Sequence, residues 1–221
     1  MNIEVNVLRV FVNENGDFGN PVGIVLDEPR RLDDELRQKI AAQLGYSETV
    51  FIDDLSAPTV SLFNPKYKVE FAGHAVLGVA YFINRILGRD LRSVRCGQAD
   101  IAVIHDQEHI HIRAPLSVMP PWNIEQVGDA LAVERLSANE SSQKMHTVVW
   151  AWMDKNLGTV RARTFAPDWG IPEDEANGSG SMKLASTLGR NLEILHGKGS
   201  MLYVKPWKSN FAYLGGRVVE E

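Results

Sequence analysis

The stretch Gly45–Gly78, GYSETVFIDDLSAPTVSLFNPKYKVEFAGHAVLG, decides the fold. Glu48 lies in a short polar segment just after one helix and just before a run of strand formers, Thr49–Ile52. A second strand, Thr59–Phe63, ends at Phe63-Asn64-Pro65. Gly73-His74 then opens a helix over Ala75–Leu87 that stops at Gly88. That helix is apolar almost all round, which predicts burial.

The same plan returns in Arg163–Ser186, RTFAPDWGIPEDEANGSGSMKLAS. Phe63-Asn64-Pro65 and Phe165-Ala166-Pro167 share F-x-P. Tyr67 and Trp169 follow two residues after the prolines, and Val69 and Ile171 two residues after those. Gly73-His74 and Gly178-Ser179 each open a helix. The offset is 102 residues at the first landmarks and 105 at the last. Self-similarity at that period predicts two related lobes, not a solenoid. The break falls in Pro115–Pro121, where two consecutive prolines cannot continue helix or sheet. The lobes are therefore expected at 1–118 and 119–221.

Outward from these stretches, residues 3–12 alternate as a strand, with Val5, Val7 and Val10 as markers, and Gly16–Pro21 reads as a turn before a strand at Gly23–Leu26. Leu36, Ile40 and Leu44 mark one face of a helix over Asp33–Leu44, with Asp33 or Asp34 as cap and Gly45 as stop. Ser93–Arg95, Ala99–Ile104 and His109–Arg113 read as strands, the last two joined across Asp106-Gln107. In the second half, Asn123–Val133 reads as helix, Ser137–Lys144 as polar loop and Ser181–Leu188 as helix. Strands are expected at Met145–Met153, Arg161–Phe165, Met201–Val204 and Gly216–Val219. Many strands with two or three long helices give the α+β class.

At 221 residues, 44% apolar and 23% charged, the chain has the composition of a folded domain with a sizeable core. Its net charge of −5 offers no basic footprint for nucleic acid. One cysteine, Cys96, excludes an internal disulfide and any thiol-pair chemistry. The first twelve residues lack the basic and apolar regions of a secretory signal, and no run reaches the ~18 apolar residues of a membrane helix. These features predict a cytoplasmic, soluble protein.

Glycine at a helix start lets the backbone approach a ligand, and the free N–H groups there bind anions. Two such ends, Gly73-His74 and Gly178-Ser179, would make a carboxylate socket in one cleft. The competing reading is two ordinary capped starts, with Ser179 as an N-cap. Glu48 is either an exposed acid beside a helix end or a general acid/base whose pKa is raised by Phe51 and Phe71. Asp174 precedes a helix, where acids ordinarily complement the dipole. His74 at a helix start is expected to be neutral, either as a catalytic imidazole or as a buried, hydrogen-bonded one. Among His105, His109 and His111 only the last two share a strand face, with no third ligand at a defined spacing, so no metal site is expected. Gly215-Gly216 is too short for a phosphate loop, and Cys96 reads as structural.

Taken together, GNPVGIV, GYSETVF, the F-x-P strand leading to FAGHAVLG, and RTFAPDWGIPEDEANGSGS resemble the PhzF-like isomerases and epimerases of phenazine biosynthesis. The resemblance spans both halves in order. It implies the diaminopimelate-epimerase-like fold: two pseudo-symmetric lobes, each a β-barrel-like sheet around a central helix. It places the family's acid/base glutamate at Glu48, its Gly-His pair at Gly73 and His74, and its second-lobe aspartate at Asp174. The Gly-Ser pair that helps hold a substrate carboxylate falls on Gly178 and Ser179. Asn177 stands where the family usually has threonine. The implied function is cofactor-independent proton transfer on a small carboxylate-bearing metabolite, in a homodimer. A binding protein that keeps the socket without the chemistry is the alternative.

Overall fold

The computed structural model describes residues 3–106, 109–208 and 210–221. The first lobe holds β1 (Asn6–Val12), β2 (Phe18–Leu26), α1 (Asp34–Leu44), β3 (Glu48–Asp54), β4 (Thr59–Phe63) and β5 (Lys68–Val69). It continues with α2 (Gly73–Leu87), β6 (Ser93–Cys96), β7 (Ala99–His105) and β8 (Ile110–Pro115). Beyond a single 3₁₀ turn follow β9 (Asn123–Gln126), α3 (Ala130–Glu134), α4 (Ala138–Ser142), β10 (Thr147–Asp154) and β11 (Thr159–Ala166). The chain ends with β12 (Ile171–Asp174), α5 (Gly178–Leu188), β13 (Leu192–His196), β14 (Ser200–Trp207) and β15 (Phe211–Glu220).

Strands β1, β2, β3, β4, β6, β7, β8 and β15 pair in that order, and β15 pairs back onto β1, so the first sheet closes as a barrel. The apolar helix α2 fills it; Ala75, Val76, Leu77, Val79, Ala80 and Ile83 are fully buried. From β15 the sheet runs on through β14, β13, β11 and β10 to β9 and remains open there, with α5 packed against β14 and β15.

The internal repeat is visible strand by strand. In the first lobe β2–β3 pair parallel, β3–β4 and β4–β5 antiparallel, β4–β6 parallel, and β6–β7 and β7–β8 antiparallel. The second lobe repeats these kinds of pairing in the same order, with β9–β10, β10–β11, β11–β12, β11–β13, β13–β14 and β14–β15. Among the described residues, what lacks a counterpart is β1, the hairpin partner of β2. The segment 115–122 occupies that place in the chain as a crossover, and the second sheet is left open.

Several sequence readings shift for identifiable reasons. The first turn closes earlier than Gly16–Pro21, because the Asn13 side chain accepts from the N–H groups of Asn15 and Asp17, and β2 is already under way at Phe18. Asn123–Val133 is not one helix. Asn123–Gln126 pairs with β10, and the helix starts only where Asp129 caps the Ala132 N–H at 2.8 Å. Ser137–Lys144 contains α4, begun by a capping box of Ser137 and Glu140. The sequence reading had no strand at Ile171–Asp174 or Leu192–His196. Of the expected junction at Asp106-Gln107, position 107 lies outside the described residues, while β7 and β8 pair antiparallel as expected.

Helix α1 is capped by Asp33 and ended by Gly45 in the left-handed region. Its buried face is not Leu36–Ile40–Leu44. Leu36 is exposed and Arg37, Ile40 and Ala41 are inward. Arg37 reaches under the helix to Asp27 at 2.5 Å and Asp53 at 2.6 Å, and its guanidinium lies 5.0 Å from the Phe51 ring centroid. A wholly buried cation held by two acids and a ring clamps α1 to the outer face of β2 and β3. Removing one member of such a group strands the others, at a cost of about 3–5 kcal/mol. Arg37→Ala is expected to lower the thermal midpoint by roughly 10 °C or to prevent accumulation of folded protein, whereas Lys39→Ala, which breaks an exposed pair with Glu35, should leave the midpoint within about 2 °C by circular dichroism.

Candidate active site

The starts of α2 and α5 meet head to head. A Cβ placed on Gly73 would lie 2.5 Å from Leu214 Cδ2 and 3.4 Å from Gly178 Cα. One on Gly178 would lie 2.5 Å from the same methyl and 3.3 Å from Gly73 Cα. Only glycine at both positions allows the two backbones to touch against Leu214. Helix α2 has no side-chain cap, so its first-turn N–H groups are available at the cavity floor. Helix α5 is capped by Asn177, not by Ser179: Asn177 Oδ1 accepts from the Gly180 N–H at 2.6 Å.

Above this floor lies a cavity of about 310 Å³, within the size range of small-ligand sites. Glu48, Gly73, His74, Asp174, Gly178 and Ser179 all line it. Glu48 opens β3 at its junction with α1. Its Oε2 lies 3.4 Å from His74 Nε2 and is buried with no hydrogen-bond partner among the described residues. Phe71 lines the same cavity, but Phe51 does not. It points to the opposite face of β3, into the cluster beneath α1. Burial, reinforced by the charge of Asp174, pushes the Glu48 carboxyl well up toward neutrality.

Asp174, at the end of β12, is buried rather than exposed at a helix start. It accepts from Asn20 Nδ2 at 2.6 Å and from Asn177 Nδ2 at 2.8 Å, one amide from each lobe. Burial raises its carboxyl in spite of these donors. Asn20 also accepts at Oδ1 from Ser47 Oγ at 3.1 Å, and Ser47 Oγ is 3.4 Å from His74 Nε2. A continuous polar chain thus joins His74, Ser47, Asn20 and Asp174 across the cleft. Burial drives His74 down to about 3, so the imidazole is neutral throughout the physiological range.

Tyr67 and Trp169, the aromatic landmarks of the repeat, meet edge to face at 6.3 Å between centroids. Trp122 stands edge-on to Trp169 at 5.2 Å and donates from Nε1 to Ser179 Oγ at 2.7 Å. Sequence reading missed Asn20, Ser47 and Trp122 as site residues. Asn20 lay in the quoted GNPVGIV and was read as a turn residue; nothing in the sequence around Trp122 marks it.

The remaining candidates resolve differently. Cys96 is buried, donates its thiol to the Glu70 carbonyl, and has a pKa pushed up to about 12 by burial. Gly216 makes room for the ring of Phe11, which sits at φ 70° in a bulge of β1. His109 and His111 do have a third group beside them, Asp106, with ligand atoms within 4.8 Å of one another. Asp106 accepts from His111 Nε2 at 2.6 Å, a clasp across the β7–β8 hairpin.

Comparison with known proteins bears on the whole arrangement. The PhzC-PhzF family model, phenazine biosynthesis-like protein, matches residues 8–103. The chain is 23% identical to trans-2,3-dihydro-3-hydroxyanthranilate isomerase of Pseudomonas aeruginosa, over 81% of this chain and 78% of that protein. The structure of a PhzF-family protein from Bacillus anthracis covers 100% of this chain and 97% of its own, at TM-score 0.80 and 18% identity. The chain is similar to PhzF-family proteins in sequence and in fold. A hydroxyproline epimerase from Agrobacterium vitis shares the fold more distantly, at TM-score 0.59 and 11% identity over 99% of this chain and 90% of that one. Within this PhzF-like frame the departure at Asn177 is accounted for by geometry. One amide caps α5 through its oxygen and holds Asp174 through its nitrogen. Among the described residues no helix is long and apolar enough to cross a membrane.

The raised Glu48 pKa has a consequence for stability. Below its unfolded pKa of 4.5 the carboxyl is protonated in both states and carries no penalty. As pH rises toward the folded value the unfolded chain alone releases the proton, so this group's contribution to folding is lost. Glu48→Gln removes that dependence. It should raise the thermal midpoint by on the order of 5 °C at about pH 7.5 and leave it unchanged near pH 4. A gain independent of pH would assign the effect to packing.

Proposed function

We propose that this PhzF-like chain is a cofactor-independent isomerase that moves a proton between two positions of a small carboxylate-bearing metabolite. The observation that carries the reading is Glu48 Oε2, buried with no hydrogen-bond partner among the described residues and only the neutral His74 imidazole beside it, next to two abutting helix starts. A buried acid left unsatisfied is costly to the fold and useful to chemistry. The name of its Pseudomonas relative supplies trans-2,3-dihydro-3-hydroxyanthranilate as the first substrate to try.

In this reading the N–H groups at Gly73, His74, Gly178 and Ser179, together with the Ser179 hydroxyl, hold the substrate carboxylate. That anchors the ring or chain with a C–H bond facing Glu48. The Glu48 carboxylate takes the proton, leaving the electron pair delocalised over the substrate. The resulting carboxylic acid returns the proton at a second carbon. A pKa moved toward neutrality keeps both forms of the group populated, which such a two-way transfer requires. Neutral His74 adds no competing cation, and Asp174, held by Asn20 and Asn177, orients a substrate hydroxyl or amine. Positioning of the bound substrate against these groups supplies the rest of the rate.

The test is proton NMR in D₂O with trans-2,3-dihydro-3-hydroxyanthranilate and a panel of small amino and hydroxy acids. Wild type should place deuterium on a ligand carbon, and Glu48→Gln should slow that exchange by about 10²–10⁴-fold. Exchange surviving at full rate in Glu48→Gln would remove Glu48 from the chemistry. Ligand line-broadening without exchange in either protein would leave a carboxylate-binding protein. Because burial raises Glu48, the acidic limb of the pH–rate profile is expected above the ordinary carboxylate range.

A further inference from the structure

Trp122 comes from the crossover between the lobes, one residue before β9. In the parallel pairs, Asn123 faces Thr147 as Gly23 faces Thr49, so Trp122 stands where the first lobe has Val22. Val22 is fully buried, and its Cγ1 would lie 2.9 Å from a Cβ placed on Gly78 of α2. The indole in the second lobe extends instead to the first turn of α5, where Nε1–H donates to Ser179 Oγ at 2.7 Å. The residue is held at its other end as well, because Lys183 Nζ donates to the Trp122 carbonyl at 2.7 Å. It is 4% exposed and braced edge-on by Trp169. An indole held at its nitrogen and against its ring, on a backbone held at its carbonyl, is a wall, not a flap.

The polarity of the contact matters too. An indole nitrogen only donates. Ser179 must therefore accept from Trp122, and its single O–H is left to donate elsewhere. Ser179 lines the cavity at the helix start proposed to hold the substrate anion.

We propose that Trp122 is a specificity-determining residue of this cleft: its ring sets how far a ligand body extends toward the crossover, and its N–H makes Ser179 a one-way donor to the ligand's anionic end. The inference rests on the proposed carboxylate site and deepens it. The selected ligand is a compact carboxylate with a body no larger than one six-membered ring, and the rejected class is the fused bicyclic carboxylate.

Two measurements test it. In protein labelled with ¹⁵N-tryptophan, the indole signal lost in Trp122→Phe should exchange slowly with solvent, and Ser179→Ala should move it and speed its exchange. Titrations of wild type, Trp122→Phe and Trp122→Ala with anthranilate, anthranilamide and 2-naphthoate then read the selectivity. Trp122→Ala should gain at least about tenfold in affinity for 2-naphthoate, while Trp122→Phe keeps the size limit and loses about tenfold in preference for anthranilate over its amide. If Trp122→Ala does not fold, Trp122→Leu carries the size comparison. A freely exchanging Trp122 indole unmoved by Ser179→Ala, or an unchanged ligand ranking in proteins that still bind anthranilate, overturns the assignment of Trp122 alone. Failure of wild type and every variant to bind any of the carboxylates overturns the proposed site and this inference together.

Discussion

The contact between Gly73 and Gly178 is the constraint on which the rest of this structure depends. Two helices, each at the heart of its own lobe, point their N-termini at one another until backbone meets backbone. No side chain fits between them, and Leu214 from the shared strand β15 seals the contact from below. This arrangement concentrates the positive ends of two helix dipoles at one spot. It also brings residues 105 positions apart in sequence into a single cavity floor.

Around that floor the chain runs its electrostatics against ordinary stability. Glu48 and Asp174 are buried and raised, and neutral His74 offers no cation to compensate them. The Asn20 amide offsets part of the cost by tying Asp174 of one lobe to Ser47 of the other. The same asparagine thus fixes the relative placement of the two acids. By contrast, in the buried Arg37–Asp27–Asp53 group a guanidinium lies within ion-pair distance of both carboxylates, so charge is balanced by charge behind the barrel wall. These two buried ionic clusters therefore have opposite character: one, within the first lobe, locks α1 in place, and the other, between the lobes, is left without a compensating cation where a ligand would sit.

The second lobe shows how a repeat tolerates loss. Its pairings copy those of the first in kind and order, yet the partner equivalent to β1 is replaced by a crossover and the sheet stays open. The site residues of that lobe come from the crossover, the turn that carries Trp169, β12, and Asn177 with the first turn of α5, none from the missing hairpin.

The amino-acid sequence determined a good deal. The F-x-P landmarks, the two glycine-led helix starts and the apolar run of α2 are local signals, and local signals survive without coordinates. Asp33 and Gly45 as the ends of α1 were legible for the same reason: caps are read from the few residues around them. So was the gathering of Glu48, His74, Asp174 and Ser179 as candidates, through the resemblance of their motifs. Periodicity failed where a buried charge broke the rule that inward means apolar, as at Arg37, and where a parallel pairing turned an expected helix into β9. Only the tertiary structure decided that β15 closes the first barrel from the far end of the chain, that Asn20 and Asn177 grip one aspartate from two lobes, and that Trp122 meets Ser179. Each of these depends on residues brought together from distant segments, and the energy that selects them exists only once both partners are buried.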